Sequence, residues 1–381
     1  MNKVSIVRCA DYQYANVEKS VFQCLDALPM IKEKITAKPR VLVKVNLLRG
    51  SSPEAAITTH PSVVEAIVRY LQAMGCLVII GDRPGSVLSF NEKLLRSVYQ
   101  ITGMVDVAKN TGCELNYDCS VIEVVNKAGK IVPNMHIIKV INDVDFVVSA
   151  AKLKTHAMMT FTGAVKNLFG IIPGRTKIDY HLKMNNTDNF AALLVDICEY
   201  VKPVFSVIDA VDGMEGDGPA AGDKRHVGLV LASESPYAID LAAIQIIGMN
   251  PLDVPIMCEA KRRNVFSGNL ADIEVKGVQL SEIKLKSFKY PVSQGVTGGR
   301  VPKFVKDFVL NQLRPKPVFD YGTCVSCGLC AESCPPKAIS MVNGSPVVNV
   351  DTCIRCFCCH ELCPKKAVHI KKNWLYERLF K

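Results

Sequence analysis

The sequence contains no stretch of about 18 apolar residues that is free of charge, the shortest run expected of a membrane-spanning helix. Its first eight residues, Met1 to Arg8, hold no apolar core of the kind that a secretion signal carries. These absences predict a cytoplasmic protein with no transmembrane segment. They also imply that its 16 cysteines stay reduced, which favours metal binding over disulfide formation.

Two glycine-rich motifs that bind nucleotides are also missing. The sequence has neither a Rossmann Gly-x-Gly-x-x-Gly turn after a strand nor a P-loop Gly-x4-Gly-Lys-Ser/Thr. The glycine-rich segment 216–222 has a different spacing and contains Pro219. A nicotinamide or nucleotide site therefore has no support, whereas a flavin bound in another manner stays open.

The net charge of +10 by itself suits nucleic acid, an anionic membrane or acidic partners. The basic residues are spread along the chain, however, and no aromatic-basic recognition motif accompanies them. Nucleic-acid binding is therefore not predicted.

Residues 1–290 alternate short β-branched runs with longer amphipathic segments. This alternation predicts an α/β domain with a mostly parallel sheet and flanking helices. Pro61 and Gly75 mark the start and the end of one helix, and Ser235 and Gly248 bound another. The predicted strands are 4–9, 39–46, 77–82, 145–152, 205–211 and 227–233.

The composition of the sequence changes after Tyr290, where proline and glycine become frequent. Residues 291–317 are predicted to form a linker with a short amphipathic helix, and residues 318–371 a small α+β domain. The tail 372–381 mixes basic and aromatic residues, which suits packing on the large domain or contact with an anionic membrane.

The small domain contains one cysteine motif twice, 29 positions apart. Each copy reads Cys-x2-Cys-x2-Cys-x3-Cys-Pro, a spacing that aims successive thiolates at one iron–sulfur cluster. The copies place their cysteines at Cys324, Cys327, Cys330 and Cys334, and at Cys353, Cys356, Cys359 and Cys363.

This duplicated motif resembles the two-cluster bacterial ferredoxins over residues 318–371. In such runs the fourth cysteine ligates the other cluster. The prediction is therefore two 4Fe–4S clusters with crossed ligation, in which Cys363 completes the first set and Cys334 the second. Zinc is the alternative, although it prefers isolated Cys-x2-Cys pairs or mixed Cys/His sets. Cys358 is either a bystander or a replacement for a neighbouring ligand.

Polar residues follow several of the predicted strands, where open parallel sheets bind their ligands. The densest group runs from Ala151 to Lys183 and is strongly basic, which predicts a site for a phosphate or carboxylate, with a solvated basic loop as the alternative. The candidate binding residues are Lys44, Asn46, Asp82, Lys152, Lys154 and Asn167, and the candidate catalytic residues are His156, Lys166 and His181.

An acidic segment, residues 209–223, begins in the fifth predicted strand and continues beyond its end. Its carboxylates are separated by glycines, but their order does not match a calcium loop. Three interpretations stay open: a divalent-cation site, pairing with the basic segment, or an exposed turn.

Several of these segments together resemble the family of domains of unknown function numbered 362. The resemblance covers about residues 30–250, and its members often carry a C-terminal ferredoxin module. It implies one functional region built from these segments but no particular reaction, and Arg83 stands where a small residue is expected. The segments are Asn46-Leu-Leu, Thr58-Thr-His60-Pro61, Gly81-Asp82-x-Pro84-Gly85, Lys152-Leu-Lys154-Thr-His156, Gly163-x2-Lys166-Asn167 and Glu215-Gly-Asp-Gly218-Pro219.

These observations predict an iron–sulfur oxidoreductase whose clusters exchange electrons with an anionic substrate or an organic cofactor in the α/β domain. An electron donor or acceptor protein is then an expected partner. Two alternatives are a non-enzymatic electron relay or adaptor and a sensor that responds to the state of the clusters.

Overall fold

The structure is a computed structural model that describes residues 1–28, 38–85, 91–184, 186–283, 288–291 and 315–371, together with residues 31, 33, 35 and 285. The predicted short helix of the linker and the tail 372–381 lie outside the described residues. In chain order the strands are β1 (Asn2–Arg8), β2 (Arg40–Lys44), β3 (Leu77–Gly81), β4 (Glu114–Leu115), β5 (Val121–Val125), β6 (Asn134–Ile138), β7 (Phe146–His156), β8 (Thr160–Thr162), β9 (Phe205–Glu215), β10 (Asp223–Ser233), β11 (Ile273–Gly277), β12 (Lys316–Phe319), β13 (Ile339–Val342), β14 (Ser345–Val348) and β15 (Val368–Lys371).

The helices provide the layers on either side of the sheet and two short elements in the cysteine-rich domain. The helix starts predicted at Pro61 and Pro236 are confirmed: the His60 side chain caps the first and the Ser235 hydroxyl caps the second. The helices are α1 (Tyr14–Asp26), α2 (Pro61–Ala73), α3 (Glu92–Ile101), α4 (Met104–Thr111), α5 (Ala164–Asn167), α6 (Gly174–Lys183), α7 (Thr187–Val201), α8 (Pro236–Ile246), α9 (Pro255–Arg262), α10 (Leu329–Glu332) and α11 (Cys358–Leu362).

A nine-stranded mixed sheet forms the centre of the large domain, with β8 paired to the end of β7 and the other strands in the order β11-β1-β10-β9-β7-β2-β3-β4. The pairs β7–β9, β2–β7, β2–β3, β3–β4 and β1–β11 are parallel, whereas β10 runs antiparallel to both β1 and β9. The predicted α/β class with a mostly parallel sheet is therefore confirmed.

Helices cover both faces of the sheet, and each face has its own apolar core. One core contains residues of α1 and α2, and the other contains residues of α7 and α8. Strand β7 contributes to both cores, with Val148 on one face and Val147 on the other, because successive side chains of a strand point to opposite faces. This double coverage explains why the central strands are continuous apolar runs.

The cysteine-rich domain, residues 315–371, consists of two short antiparallel pairs, β12–β15 and β13–β14, with helices α10 and α11. Within the described part of the chain, no helix is long and apolar enough to cross a membrane.

Candidate functional site

A cavity of about 100 Å³ lies between the large domain and the cysteine-rich domain. The large domain contributes residues from the carboxyl ends of β2, β3 and β7 and from helix α6, the location expected of a ligand site in a parallel sheet. The cysteine-rich domain contributes Ser333, Cys358, Glu361 and Leu362. The cavity is therefore shared, and neither domain encloses it alone.

A buried ion pair underlies this cavity. The Lys44 Nζ atom lies 2.8 Å from Asp82 Oδ1, and both side chains are almost completely buried. Lys44 also donates hydrogen bonds to the Val45 carbonyl and to Asn167 Oδ1, each 2.9 Å long. Burial lowers the pKa of Lys44, and the Asp82 carboxylate opposes this effect. Lys44 thus contacts residues of the cavity lining without lining the cavity itself, whereas Asp82 is part of the lining.

Two asparagines join this ion pair to the cavity wall. Asn167 donates from Nδ2 to the Lys44 carbonyl, and its Oδ1 atom accepts a hydrogen bond from Asn46 Nδ2 at 3.2 Å. Asn46 Oδ1 in turn accepts a 3.0 Å hydrogen bond from Lys154 Nζ, which also donates to the Ile57 carbonyl. These hydrogen bonds hold the Lys154 amino group at the cavity. Both of the acceptors are neutral oxygens, and neither is a carboxylate.

Helix α5 explains the spacing of Gly163, Lys166 and Asn167. The Asp240 carboxylate accepts hydrogen bonds from the Ala164 and Val165 amides at the start of this helix. A Cβ atom at Gly163 would collide with that carboxylate, so glycine is required there. The short helix then directs Lys166 and Asn167 to the cavity.

Helix α6 lines the cavity along one face. Gly174, Lys177, Ile178 and His181 all belong to the lining, and their separations of three and four residues place them on the same side of the helix. Burial lowers the pKa of Lys177 to about 7 and that of His181 to about 3, and the positive charge of Lys166 also lowers the pKa of His181. His181 is therefore a neutral imidazole at pH 7.

The described lining of the cavity contains more basic than acidic residues. Asp82 pairs with Lys44, so Glu361 is the acidic residue of the lining that remains beside the basic ones. Burial lowers the pKa of Lys154 well below its ordinary range, and the nearby Lys166 charge lowers it further. An anionic ligand would relieve this repulsion. The charged lining residues are Arg83, Lys154, Lys166, Lys177, Asp82 and Glu361.

Lys152 has a different environment from Lys154. Its ammonium lies 2.8 Å from Asp209 Oδ2 and 2.6 Å from the Tyr12 hydroxyl, and it does not line the cavity. Asp209 belongs to the acidic segment, so at this residue the interpretation of pairing with the basic segment is confirmed. The exposed-turn interpretation fails for Asp209, because this residue lies completely buried in strand β9.

His156 also lies outside the cavity lining. Its Nδ1 atom accepts hydrogen bonds from the Met158 and Met159 amides, so the neutral ring carries its hydrogen on Nε2. The Nε2 atom lies 3.3 Å from Glu361 Oε1 of the cysteine-rich domain. His156 therefore contacts Glu361, a residue of the cavity lining, but does not line the cavity itself.

The eight predicted cluster ligands fall into two sets, each around its own small cavity. One cavity is lined by Cys324, Cys327, Cys330 and Cys363, and the other by Cys334, Cys353, Cys356 and Cys359, with Cys358 as a fifth cysteine in its lining. Each set therefore combines three cysteines of one motif with the last cysteine of the other, a donor set that fits a four-iron cluster. In the described part of the chain, no three His, Cys, Asp or Glu side chains are grouped as the ligands of one metal ion.

The duplication of the cysteine motif extends to the backbone. The Cys334 sulfur accepts a 3.2 Å hydrogen bond from the Ala338 amide, and the Cys363 sulfur accepts one of equal length from the Ala367 amide. Phe357 adopts a left-handed φ of 59° where the first copy has Gly328 with a φ of 74°. A left-handed conformation is unfavourable for phenylalanine, but its buried ring packs against Ala157 of the large domain.

Several contacts hold the cysteine-rich domain against the large domain. His360 Nε2 lies 3.0 Å from the Asp217 carbonyl, and Arg49 Nη1 donates a 2.7 Å hydrogen bond to the Cys363 carbonyl. These contacts fix the segment that carries Cys358, Glu361 and Leu362 over the cavity.

Replacing Arg49 with Met should loosen this interface, because it removes the hydrogen bond and keeps most of the apolar stem. We expect amide hydrogen exchange in residues 358–363 to become about tenfold faster in hydrogen-exchange mass spectrometry, as the loss of one charge-assisted hydrogen bond implies. Lys109→Met is the control, since that side chain is 69% exposed. Equal exchange in the two variants would contradict a contribution of Arg49 to docking.

Of the predicted site residues, the cavity lining contains Asn46, Asp82, Lys154, Lys166, Asn167 and His181 and leaves out Lys44, Lys152 and His156. Sequence reasoning missed Lys177 as a site residue, although its spacing from His181 on one helix was an available signal. It also missed Glu361, because no local pattern shows that the second cysteine motif faces the basic segment.

Comparisons with known proteins identify two families along the chain. Residues 41–245 match the domain of unknown function DUF362, and residues 316–364 match a 4Fe-4S dicluster domain. The thylakoid-associated protein sll1697 of Synechocystis sp. is 30% identical over 269 residues, which cover 69% of this chain and 79% of that protein.

A solved structure, the lactate racemase apoprotein of Thermoanaerobacterium thermosaccharolyticum, aligns with a TM-score of 0.40 and 12% identity over 65% of this chain. The chain spans 56% of the length of that protein. The dicluster match identifies an iron–sulfur electron-transfer module in the cysteine-rich domain. With more than half of its residues matched by the family model, the chain belongs to the DUF362 family and carries a ferredoxin-type 4Fe-4S domain at its C-terminal side.

Proposed function

We propose that this protein is an iron–sulfur oxidoreductase that binds an anionic small molecule in the cavity between its two domains. Cys324, Cys327, Cys330 and Cys363 would hold one 4Fe–4S cluster, and Cys334, Cys353, Cys356 and Cys359 would hold the second. When bound, such clusters supply one-electron transfer, while the protein supplies the binding and positioning of the substrate.

The observation that carries this proposal is the shared wall of the cavity. Helix α11 presents Cys358, Glu361 and Leu362 to the cavity, and the predicted ligands Cys359 and Cys363 lie within and directly after the same helix. A molecule held by the large domain would therefore contact the segment that carries ligands of both clusters.

The residues of the large domain have separate roles in the proposal. Lys154, Lys166 and Lys177 attract the anionic group, and His181 offers a neutral hydrogen-bonding ring. Lys44, Asp82 and Asn167 form the support that holds them. His156 acts through Glu361, whose carboxylate it contacts. Lys152 has a structural role, since its charge is satisfied by Asp209 and Tyr12.

The size of the cavity bears on the predicted organic cofactor. A cavity of about 150 Å³ encloses a molecule the size of benzene, and this one measures about 100 Å³. The three fused rings of a flavin exceed that space, so the proposal assigns no flavin to this cavity.

A second candidate function is an electron relay to a docked protein. The Cys327 side of the domain is exposed, and the nearby Tyr321 and Val325 are 59% and 55% exposed. Apolar residues exposed beside a redox centre suit the docking of an electron donor or acceptor protein. The oxidoreductase and electron-relay functions are compatible, because the face around Cys327 and the interdomain cavity involve different residues.

The first experiment is anaerobic purification with iron and sulfide analysis, followed by electron paramagnetic resonance of the dithionite-reduced protein. We expect about eight irons per chain, four for each cluster. Adding a small carboxylate such as glycolate should change the spectrum of one cluster, because the anion binds beside it. An unchanged spectrum for every small anion tried would favour the electron relay, and zinc in place of iron would refute the proposal.

The cellular location of the protein is a separate question from its proposed function. The sequence predicts the cytoplasm, whereas the similar Synechocystis protein is described as thylakoid-associated. Fractionation of cell membranes with an antibody to this chain distinguishes the two.

A further inference from the structure

Three polar side chains of the interdomain cavity surround one aromatic ring. The Lys166 and Lys177 Nζ atoms lie 5.7 and 5.8 Å from the centroid of the Phe169 ring, and the His181 ring centroid lies 5.9 Å from it. The acidic residues in the described lining are Asp82, which forms an ion pair with Lys44, and Glu361. The cluster around Phe169 is therefore short of negative charge.

His181 gives an independent indication of a ligand. The side chain is buried, with 8% of its surface exposed, and its ring stacks on Phe190 at 4.5 Å between centroids. The His181 Nδ1 atom is buried and has no hydrogen-bond partner among the described residues. Buried polar atoms normally have partners, so a polar atom of a bound molecule is the expected one here.

The cysteine-rich domain contributes the opposite kind of group to the same cavity. Glu361 lines the cavity with 9% of its surface exposed. Its Oε1 atom lies 3.3 Å from His156 Nε2 but makes no hydrogen bond to any described residue. A carboxylate in this position repels a ligand that is anionic throughout. It favours a ligand that directs a hydrogen-bond donor to it.

Size limits the ligand further. Because a cavity of about 150 Å³ holds benzene, the part of a ligand that fills this cavity of about 100 Å³ has only a few non-hydrogen atoms. Nucleotides and long-chain acids are too large to be enclosed.

We propose that the cavity takes a small carboxylate that also carries a hydroxyl or ammonium group. Its carboxylate lies among Lys166, Lys177 and His181, and its donor group hydrogen-bonds to Glu361. This assignment rests on the proposed function, which places an anionic ligand in this cavity.

The test compares acetate with glycolate, two carboxylates that differ by one hydroxyl group, as carbon-13-labelled probes in NMR titrations of the cluster-loaded protein. We expect glycolate to bind about tenfold more tightly, as one hydrogen bond to a charged group implies. Lys177→Met should weaken both probes about ten- to hundredfold. Glu361→Gln should reduce the preference for glycolate while acetate still binds.

Lys109→Met is the surface control, and iron content and circular dichroism establish that each variant is folded. His181→Asn provides a second variant of the carboxylate subsite if Lys177→Met does not fold. Equal affinity for acetate and glycolate, or unchanged affinity in Lys177→Met and His181→Asn, overturns the proposed ligand class.

Electron paramagnetic resonance separates this proposal from the proposed function. If glycolate binds as expected but leaves the reduced spectrum unchanged, the ligand class stands and the exchange of electrons with it is refuted. If another anion changes the spectrum and glycolate does not bind, the function stands and the ligand class is refuted.

Discussion

The double variant Cys327→Ser/Cys363→Ser is expected to retain about half of the iron of the unaltered protein, whereas Cys327→Ser/Cys334→Ser should lose nearly all of it. The reason is that Cys327 and Cys363 line the same cavity, while Cys327 and Cys334 line different ones. With crossed ligation, the first pair of substitutions damages one cluster and the second pair damages both. Iron and sulfide analysis after anaerobic purification measures the difference.

The comparison works because the two double variants differ in only one substituted position. If each motif held its own cluster, the result would be reversed, with Cys327→Ser/Cys334→Ser keeping about half of the iron. Cys358→Ser is the control for a thiol in the same segment, and we expect it to keep full iron content. Loss of iron in Cys358→Ser would make Cys358 a ligand.

The second large effect is expected for Asp82→Asn. The substitution leaves the Lys44 ammonium buried without its counter-charge, and breaking a buried pair in this way costs about 3–5 kcal/mol of unfolding free energy. Glu114→Gln is the matched control, because it breaks an ion pair with Arg40 whose side chains are 42% and 68% exposed. That surface pair should contribute less than about 1 kcal/mol. Chemical denaturation followed by circular dichroism measures both.

The pH dependence gives a further check on the same variant. Burial lowers the pKa of Lys44 below its ordinary value of 10.5, and removal of Asp82 should lower it further. The unfolded chain then binds a proton that the folded variant does not, so the stability of the variant rises with pH up to about 10.5. Asp82→Asn should therefore be less destabilised relative to the unaltered protein at pH 9.5 than at pH 7. If Asp82→Asn lowers the unfolding free energy by the same amount at both pH values, the buried Lys44 charge is not the cause of the destabilisation.

The main strands were predictable because burial on both faces requires continuous apolar runs. All six predicted strands occur in the sheet, as β1, β2, β3, β7, β9 and β10. The prediction ended β7 at residue 152, whereas the strand continues to His156 because β8 pairs with its last residues. Strand β4, with only two residues, carries too little pattern to be recognised.

The candidate site was predictable only in part. Polar residues at the ends of buried strands identified Asn46, Asp82 and Lys154, since a parallel sheet collects these ends at one edge. The same reasoning could not separate Lys154 from Lys152, which is two residues away in the same strand. Their partners come from distant segments, Asn46 for the first and Asp209 for the second.

The sequence by itself determined the iron–sulfur character of the C-terminal domain, because cluster ligation requires cysteines at short, repeated spacings that are visible in the chain. It also determined the α/β class, since the period of apolar residues follows directly from the geometry of strands and helices. Only the tertiary structure decided which basic residues share the cavity and that Glu361 completes it. Those contacts join segments up to about 300 residues apart in the chain, and their identity depends on how two domains pack, which no local pattern encodes.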